Sequence, residues 1–170
     1  MSIKFPLTFE VDKENRRIHV ERTFGAPLDP VWAAWTEPEL LDEWWAPKPW
    51  KSRTKSMDFR EGGHRVYAMV GPEGETHWAR TEYTEVDPKN SFGGRDVFAG
   101  EDGTENTDMP AATFTNVFRS DSEDTTTVII DSVYPTLESL EATINMGFKE
   151  GFTMALENLD QVLSQSYRKQ

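Results

Sequence analysis

LESLEATINMGFKEGFTMALENLDQVL, from Leu137 to Leu163, repeats an apolar residue at every third or fourth place: Leu137, Leu140, Ile144, Phe148, Phe152, Leu156, Leu159 and Leu163. Steps of three and four put one apolar stripe along a helix. The spacing predicts a single long helix over 136–165, with Thr136 as its cap. Gly147 and Gly151 interrupt the stripe and mark where the rod can bend or admit a close neighbour. Their GxxxG spacing is not a membrane signal, because Lys149 and Glu150 lie between them.

A helix with one apolar face needs a surface to cover, and the preceding sequence supplies strands. Arg16–Phe24 alternates at period two. Further strand-like runs are expected at Lys51–Arg60, His64–Val70, Thr76–Val86, Ser91–Phe98, Ala112–Arg119 and Thr125–Tyr134. They are separated by the turn sequences EGG, GPEG, DPKN and SDSED, the punctuation of an antiparallel meander. The acidic stretch GEDGTENTDMP, 100–110, reads as a long mobile loop. Its alternatives are a docking patch for a basic partner or a lid over a cavity. Two short helices are expected after the first strand. Asp29 caps one that starts at Pro30, and Thr36 with Glu39 forms a capping box for the next. Leu40, Leu41, Trp44 and Trp45 form one stripe of that second helix, which Pro47 and Pro49 stop.

The expected architecture is therefore α+β: a curved antiparallel sheet of six to seven strands, two short helices after the first strand, and a long C-terminal helix across the sheet. A single domain is expected over 1–170, with its core at about 16–165 and residues 1–15 as an extension. A bowed sheet under a straight helix leaves a gap, which predicts an internal cavity.

Composition narrows the function. The formal charge of −12 argues against nucleic acid and anionic membrane surfaces as partners. With no cysteine, disulfides, thiolate metal sites and cysteine nucleophiles are excluded. No apolar run approaches the ~20 residues of a membrane span, and the start MSIKFPLTFE has no signal-peptide core. A cytoplasmic protein, monomeric or weakly dimeric, is the expectation.

RTFGAPLDPVWAAWTEPELLDEWWAP, DFREGGHRVYAMVGPEGE, YTEVDPKN, DMPAATFTNVF and GFKEGFTMALENLDQVL, in that order, resemble the bacterial relatives of the activator of Hsp90 ATPase. These belong to the START-like (SRPBCC), helix-grip group that includes Bet v 1-type allergens and polyketide cyclases. The resemblance spans about Arg16 to Leu163 and implies the helix-grip fold with an apolar interior cavity. Its functional implications are broader, since the group holds lipid carriers, cyclases, hydrolases and co-chaperones. Against the family pattern, Arg65 stands where an aromatic residue is usual and Thr81 where glycine is frequent. The eukaryotic activators also carry a further N-terminal domain, which a chain of this length does not accommodate.

Four of the six tryptophans crowd into 31–47. Trp32, Trp35, Trp44 and Trp45 are expected to divide between core packing and a cavity wall, where an indole N–H needs a partner. Trp44 and Trp45 are adjacent, so one points inward and the other outward or toward the next strand. Arg65, Tyr67 and Met69 share one strand face, as do Thr81, Tyr83 and Glu85, with Trp78 on the opposite face. If those faces are concave, Arg65 and Glu85 enter the cavity, as an ion pair or as an anchor for a ligand carboxylate or phenolate. Phe148 and Phe152 face them from the helix. The histidines His19, His64 and His77 are scattered without metal-ligand spacing, and no GxSxG elbow accompanies them.

These residues support three functions. The first is a binding protein for a small apolar or aromatic ligand, using Trp32, Trp35, Trp44, Trp45, Arg65, Tyr67, Met69, Tyr83, Glu85, Phe148 and Phe152. The second is a co-chaperone acting on an Hsp90 ATPase. The third is a cyclase- or hydrolase-like enzyme with Glu85, Tyr83 or His64 as acid or base. The first is the favoured expectation, with no cofactor and no metal.

Overall fold

The computed structural model describes residues 5–168. Its elements, in chain order, are β1 (Leu7–Asp12), β2 (Arg17–Phe24), α1 (Leu28–Thr36), α2 (Pro38–Trp44), β3 (Lys51–Asp58), β4 (His64–Val70), β5 (Thr76–Asp87), β6 (Ser91–Ala99), β7 (Ala112–Ser122), β8 (Thr125–Val133), α3 (Leu137–Asn145) and α4 (Phe148–Arg168). The strands form one antiparallel sheet in the order β1-β2-β8-β7-β6-β5-β4-β3. Every neighbouring pair except β2 and β8 is also consecutive along the chain, so the sheet is close to a continuous meander.

The sheet has eight strands, not six or seven. The additional one is β1, within the segment expected to be an extension. Leu7, Phe9 and Val11 alternate with Thr8, Glu10 and Asp12, and β1 pairs with β2 from Leu7↔Arg22 to Asp12↔Arg17. Asp12 organises the intervening turn by accepting hydrogen bonds from the backbone N–H and the side chain of Asn15 (3.2 and 2.7 Å). Phe9 then packs on Phe148 with ring centres 6.1 Å apart. Residues 1–4 of the expected extension lie outside the described residues.

The single C-terminal helix of the sequence reading is two helices. Thr136 does cap the first: its hydroxyl accepts from Ser139 N at 3.0 Å. The break falls at Gly147, whose φ of 86° is left-handed and open to glycine at little cost. The new axis directs Phe148 and Phe152 at the sheet. The caps expected of α1 and α2 do not form. Asp29 lies inside the first turn of α1, and the Thr36 hydroxyl donates back to Trp32 O at 2.8 Å instead of capping α2.

The apolar stripe of α4 meets the sheet unevenly. At one end Phe24, Val31, Trp44, Leu156 and Leu159 are fully buried in a solid core. There α1 packs on α4 and α2 packs on β3 and α4, so the helices fill the wedge between rod and sheet. At the other end nothing fills it. The acidic segment 100–110 is not a free loop over 101–105, and its end, Pro110, lines the unfilled space. Arg80 Nη1 donates to Gly103 O (2.6 Å), Lys55 Nζ to Glu101 O (2.8 Å), and Arg95 grips Glu105 through two bonds of 2.8 and 2.7 Å. It is tied down beside Val66, which lies against Gly103 on the side of β4 away from α4. Among the described residues, no helix is long and apolar enough to cross a membrane.

Candidate functional site

The unfilled end is a cavity of about 390 Å³, inside the range of roughly 300–1,000 Å³ that small-molecule sites occupy. The registers define its floor. One cross-strand row runs Arg65–Thr81–Asp96–Ala112 and the next Tyr83–Gly94–Phe114–Ser132. A third holds Phe92, Asn116 and Ile130. Phe148 and Phe152 from α4 stack on each other (5.3 Å) and form part of the roof. Exposed Met146 and His77 are among the lining residues and mark the side where the cavity meets solvent.

Of the residues singled out in the sequence, Trp35, Trp45, Arg65, Tyr67, Met69 and Tyr83 line this cavity, together with Phe148 and Phe152. Three do not. Trp44 is completely buried in the solid core, with its indole N–H donated to Ala34 O at 2.9 Å. Its burial contributes on the order of 3 kcal/mol. Trp32 packs edge-on against Phe59, Phe92 and Phe118. Glu85 is exposed, because a β-bulge intervenes. The register steps from Tyr83↔Gly94 to Glu85↔Gly93, so Thr84 is an extra residue and the alternation of β5 reverses beyond it. Glu85 lies over Gly93, where a Cβ would come within 2.7 Å of its Oε1. Glu85 therefore neither pairs with Arg65 nor acts inside the cavity.

Arg65 has other partners. It is 2% exposed, and its Nη2 donates to Asp42 (3.2 Å) and Ser52 (2.9 Å) while Nε donates to Thr54 (3.1 Å). Its guanidinium lies over the Tyr67 ring, 4.0 Å from the centroid. Asp42 also accepts from Ser52 Oγ, Thr54 N and Thr54 Oγ1 at 2.8–3.0 Å. This network ties α2 to the edge strand β3 and its neighbour β4. Trp45 completes the wall by donating its N–H to the Tyr67 hydroxyl at 3.1 Å.

The sequence reading missed Asp96. It follows Thr81 in the floor row, and the Thr81 hydroxyl donates to its Oδ1 at 2.7 Å. The side chain is surrounded by protein yet keeps accessible surface, because it faces the hollow. Burial pushes its carboxyl up to about 6, against the opposing pull of the Thr81 hydroxyl and the Arg65 charge. The same burial pushes Tyr67 and Tyr134 up to about 12, and Tyr83 upward as well, each reinforced by the Asp96 charge. Three protonated phenols thus surround one carboxylate. The signal was legible in strand phase: Phe92, Asp96 and Phe98 fall on one face of β6, a carboxylate in an aromatic row.

A second polar station lies at the Asn116 row, four residues along β7 from Ala112, or about 13 Å. Asn116 and Trp35 are 5% and 3% exposed, yet Asn116 Oδ1 and Trp35 Nε1 have no hydrogen-bond partner among the described residues. Buried polar atoms are nearly always paired; these two belong to cavity-lining side chains but are themselves covered, so an incoming molecule reaches them only when those side chains turn. Among the described residues no cluster of three or more His, Cys, Asp or Glu is placed to hold a metal ion.

A bent antiparallel sheet gripping a C-terminal helix around a lined hollow defines a helix-grip protein. The family model described as activator of Hsp90 ATPase homolog 1-like protein matches residues 25–164, and the chain belongs to that family. Among solved structures it is similar to protein Ms6760 from Mycobacterium smegmatis: 31% identity, TM-score 0.84, 93% of this chain and 97% of that one. A protein from Arthrobacter aurescens has 28% identity and TM-score 0.87 over 93% and 91% of the two chains. One from Staphylococcus epidermidis has 29% and 0.80 over 92% and 94%. Among curated proteins nothing matches the chain.

Proposed function

We propose that the protein binds a small apolar or aromatic molecule in the cavity between β4–β8 and α4, with Trp35, Trp45, Tyr67, Tyr83, Phe148 and Phe152 as its apolar contacts. The observation that carries this reading is the 390 Å³ hollow itself, walled by aromatic side chains with the Asp96 carboxylate among them; Trp35 and Asn116, which also line it, keep Nε1 and Oδ1 unpartnered beneath its surface. An apolar wall with a few placed polar groups suits burial of a ligand body and orientation of its polar ends. Activation of an Hsp90 ATPase, which the family description names, and turnover by acid or base groups are the competing readings. The cavity features favour binding over both.

The test is to fill the space. Ala112 lies on the floor beside Asp96. Ala112→Leu is expected to weaken binding of naphthylethanol at least about tenfold, because several heavy atoms are displaced from the site, with little change in thermal stability. Calorimetric titration of wild type and variant reads the effect. Equal affinities, or no binding to the wild type at millimolar probe, would count against the proposal.

A further inference from the structure

We propose that the molecule this cavity selects is an organic cation, a protonated amine on an apolar or aromatic body, and that Asp96 receives its ammonium group. The inference rests on the small-molecule reading above and fixes the charge of the ligand. The sequence had left Arg65 either in an ion pair or as an anchor for a ligand carboxylate or phenolate.

The structure assigns Arg65 elsewhere. Its Nε and Nη2 are committed to Thr54, Ser52 and Asp42, and its charge is matched by Asp42 at 3.2 Å. Asp96 has no such match. Its Oδ1 takes the Thr81 hydroxyl. Among the described residues no hydrogen bond or ion pair is made by Oδ2. The charged and titratable groups that act on it are the phenols of Tyr67, Tyr83 and Tyr134 and the Arg65 guanidinium, which stands in the same cross-strand row beyond Thr81. With Arg65 paired to Asp42, the floor carries one negative charge with no counter-ion. A buried, uncompensated charge is costly and favours an opposite charge delivered by a ligand.

The surroundings agree with a cation. Tyr67, Tyr83, Phe98 and Phe114 line the same end of the cavity, and aromatic faces attract ammonium groups. The overall charge of −12 draws cations in from solution. An anionic ligand meets the reverse: a carboxylate against Asp96 is repelled, and the guanidinium that would receive it already gives two of its three nitrogens to Thr54, Ser52 and Asp42.

The experiment uses three probes with one apolar body: naphthylethylamine, naphthylethanol and naphthaleneacetate, titrated calorimetrically into the full-length protein at neutral pH. The amine is expected to bind about tenfold more tightly than the alcohol and a hundredfold more tightly than the acid. Asp96→Asn removes the amine's advantage while leaving the alcohol within about twofold, which also reports that the variant cavity is intact. A second arm needs no change at Asp96. Lowering the pH through about 6 neutralises the carboxyl, and the amine's advantage falls while the alcohol is unaffected. His77, at the cavity mouth, is replaced by Gln in this arm so that the change is read on Asp96 alone. Binding of acid as tight as amine, or an amine preference that survives both Asp96→Asn and low pH, overturns the assignment and leaves the binding reading standing. Failure of all three probes at millimolar concentration overturns the binding reading and the assignment with it.

Discussion

Replacing Asp42 by alanine is expected to lower the stability of the protein by about 3–5 kcal/mol. The reason lies in Arg65, which is 2% exposed and has Asp42 as its carboxylate partner. Arginine cannot shed its proton inside a protein, so the charge stays and must be accommodated by deformation or water entry. Asp42 also accepts from Ser52 and twice from Thr54, and those donors lose their acceptor in the same change. For a chain of this length the loss corresponds to a fall of roughly 10 °C in melting temperature. Adding Arg65→Met to Asp42→Ala is expected to recover most of the loss, because the unpaired charge goes with it. Urea denaturation of the two variants reads both numbers. A loss below about 1 kcal/mol for Asp42→Ala would mean that the network does not hold α2 to the sheet.

Asp96→Asn is expected to move stability in the other direction, by on the order of 2–3 kcal/mol at pH 8. Burial raises the carboxyl of Asp96 from 3.8 in the open chain to about 6 in the fold. Below about pH 4 both states carry the proton and nothing is lost. Between pH 4 and 6 the folded protein holds the proton and the unfolded chain has released it. The folded state therefore loses ground as pH rises, by about 1.4 kcal/mol per unit. Above pH 6 the full cost is present. Asparagine keeps an acceptor for Thr81 and never ionises, so the variant should be the more stable protein at pH 8 and equal to wild type at pH 4. A residue that lowers stability at working pH is what a binding site retains for its ligand rather than for its fold. If unfolding curves for wild type and Asp96→Asn coincide at pH 8, Asp96 is not the buried charge described here.

Strand phase made much of this visible in advance. Alternation in β2 and β4–β8 and the three-and-four spacing of the C-terminal segment sufficed for the α+β architecture. Phe148 and Phe152 could be placed on the cavity side from their helix phase alone. What escaped were events that break a period. The bulge at Thr84 turned Glu85 outward, and the left-handed Gly147 divided one helix into two. The partner of Arg65 was also out of reach. Asp42 stands 23 positions earlier, on a helix whose seat against β3 and β4 depends on tertiary packing. Asp96 was accessible, being in register with two phenylalanines of its own strand, but its neighbours Thr81 and Arg65 join it only through the sheet order. Trp44 and Trp45 divided as adjacent helical residues must, one into the core and one into the cavity wall.

The most direct measurement is a two-dimensional proton–nitrogen spectrum of the six indole N–H groups during titration with naphthylethylamine. The account predicts that Trp35 moves most, since its side chain lines the cavity and its N–H lacks a partner, and that Trp45 moves next. Trp44, whose N–H is held by Ala34, should shift little. A titration that leaves Trp35 and Trp45 in place, or that perturbs Trp44 and Trp32, which do not line the cavity, instead, would contradict a ligand site between the sheet and α4.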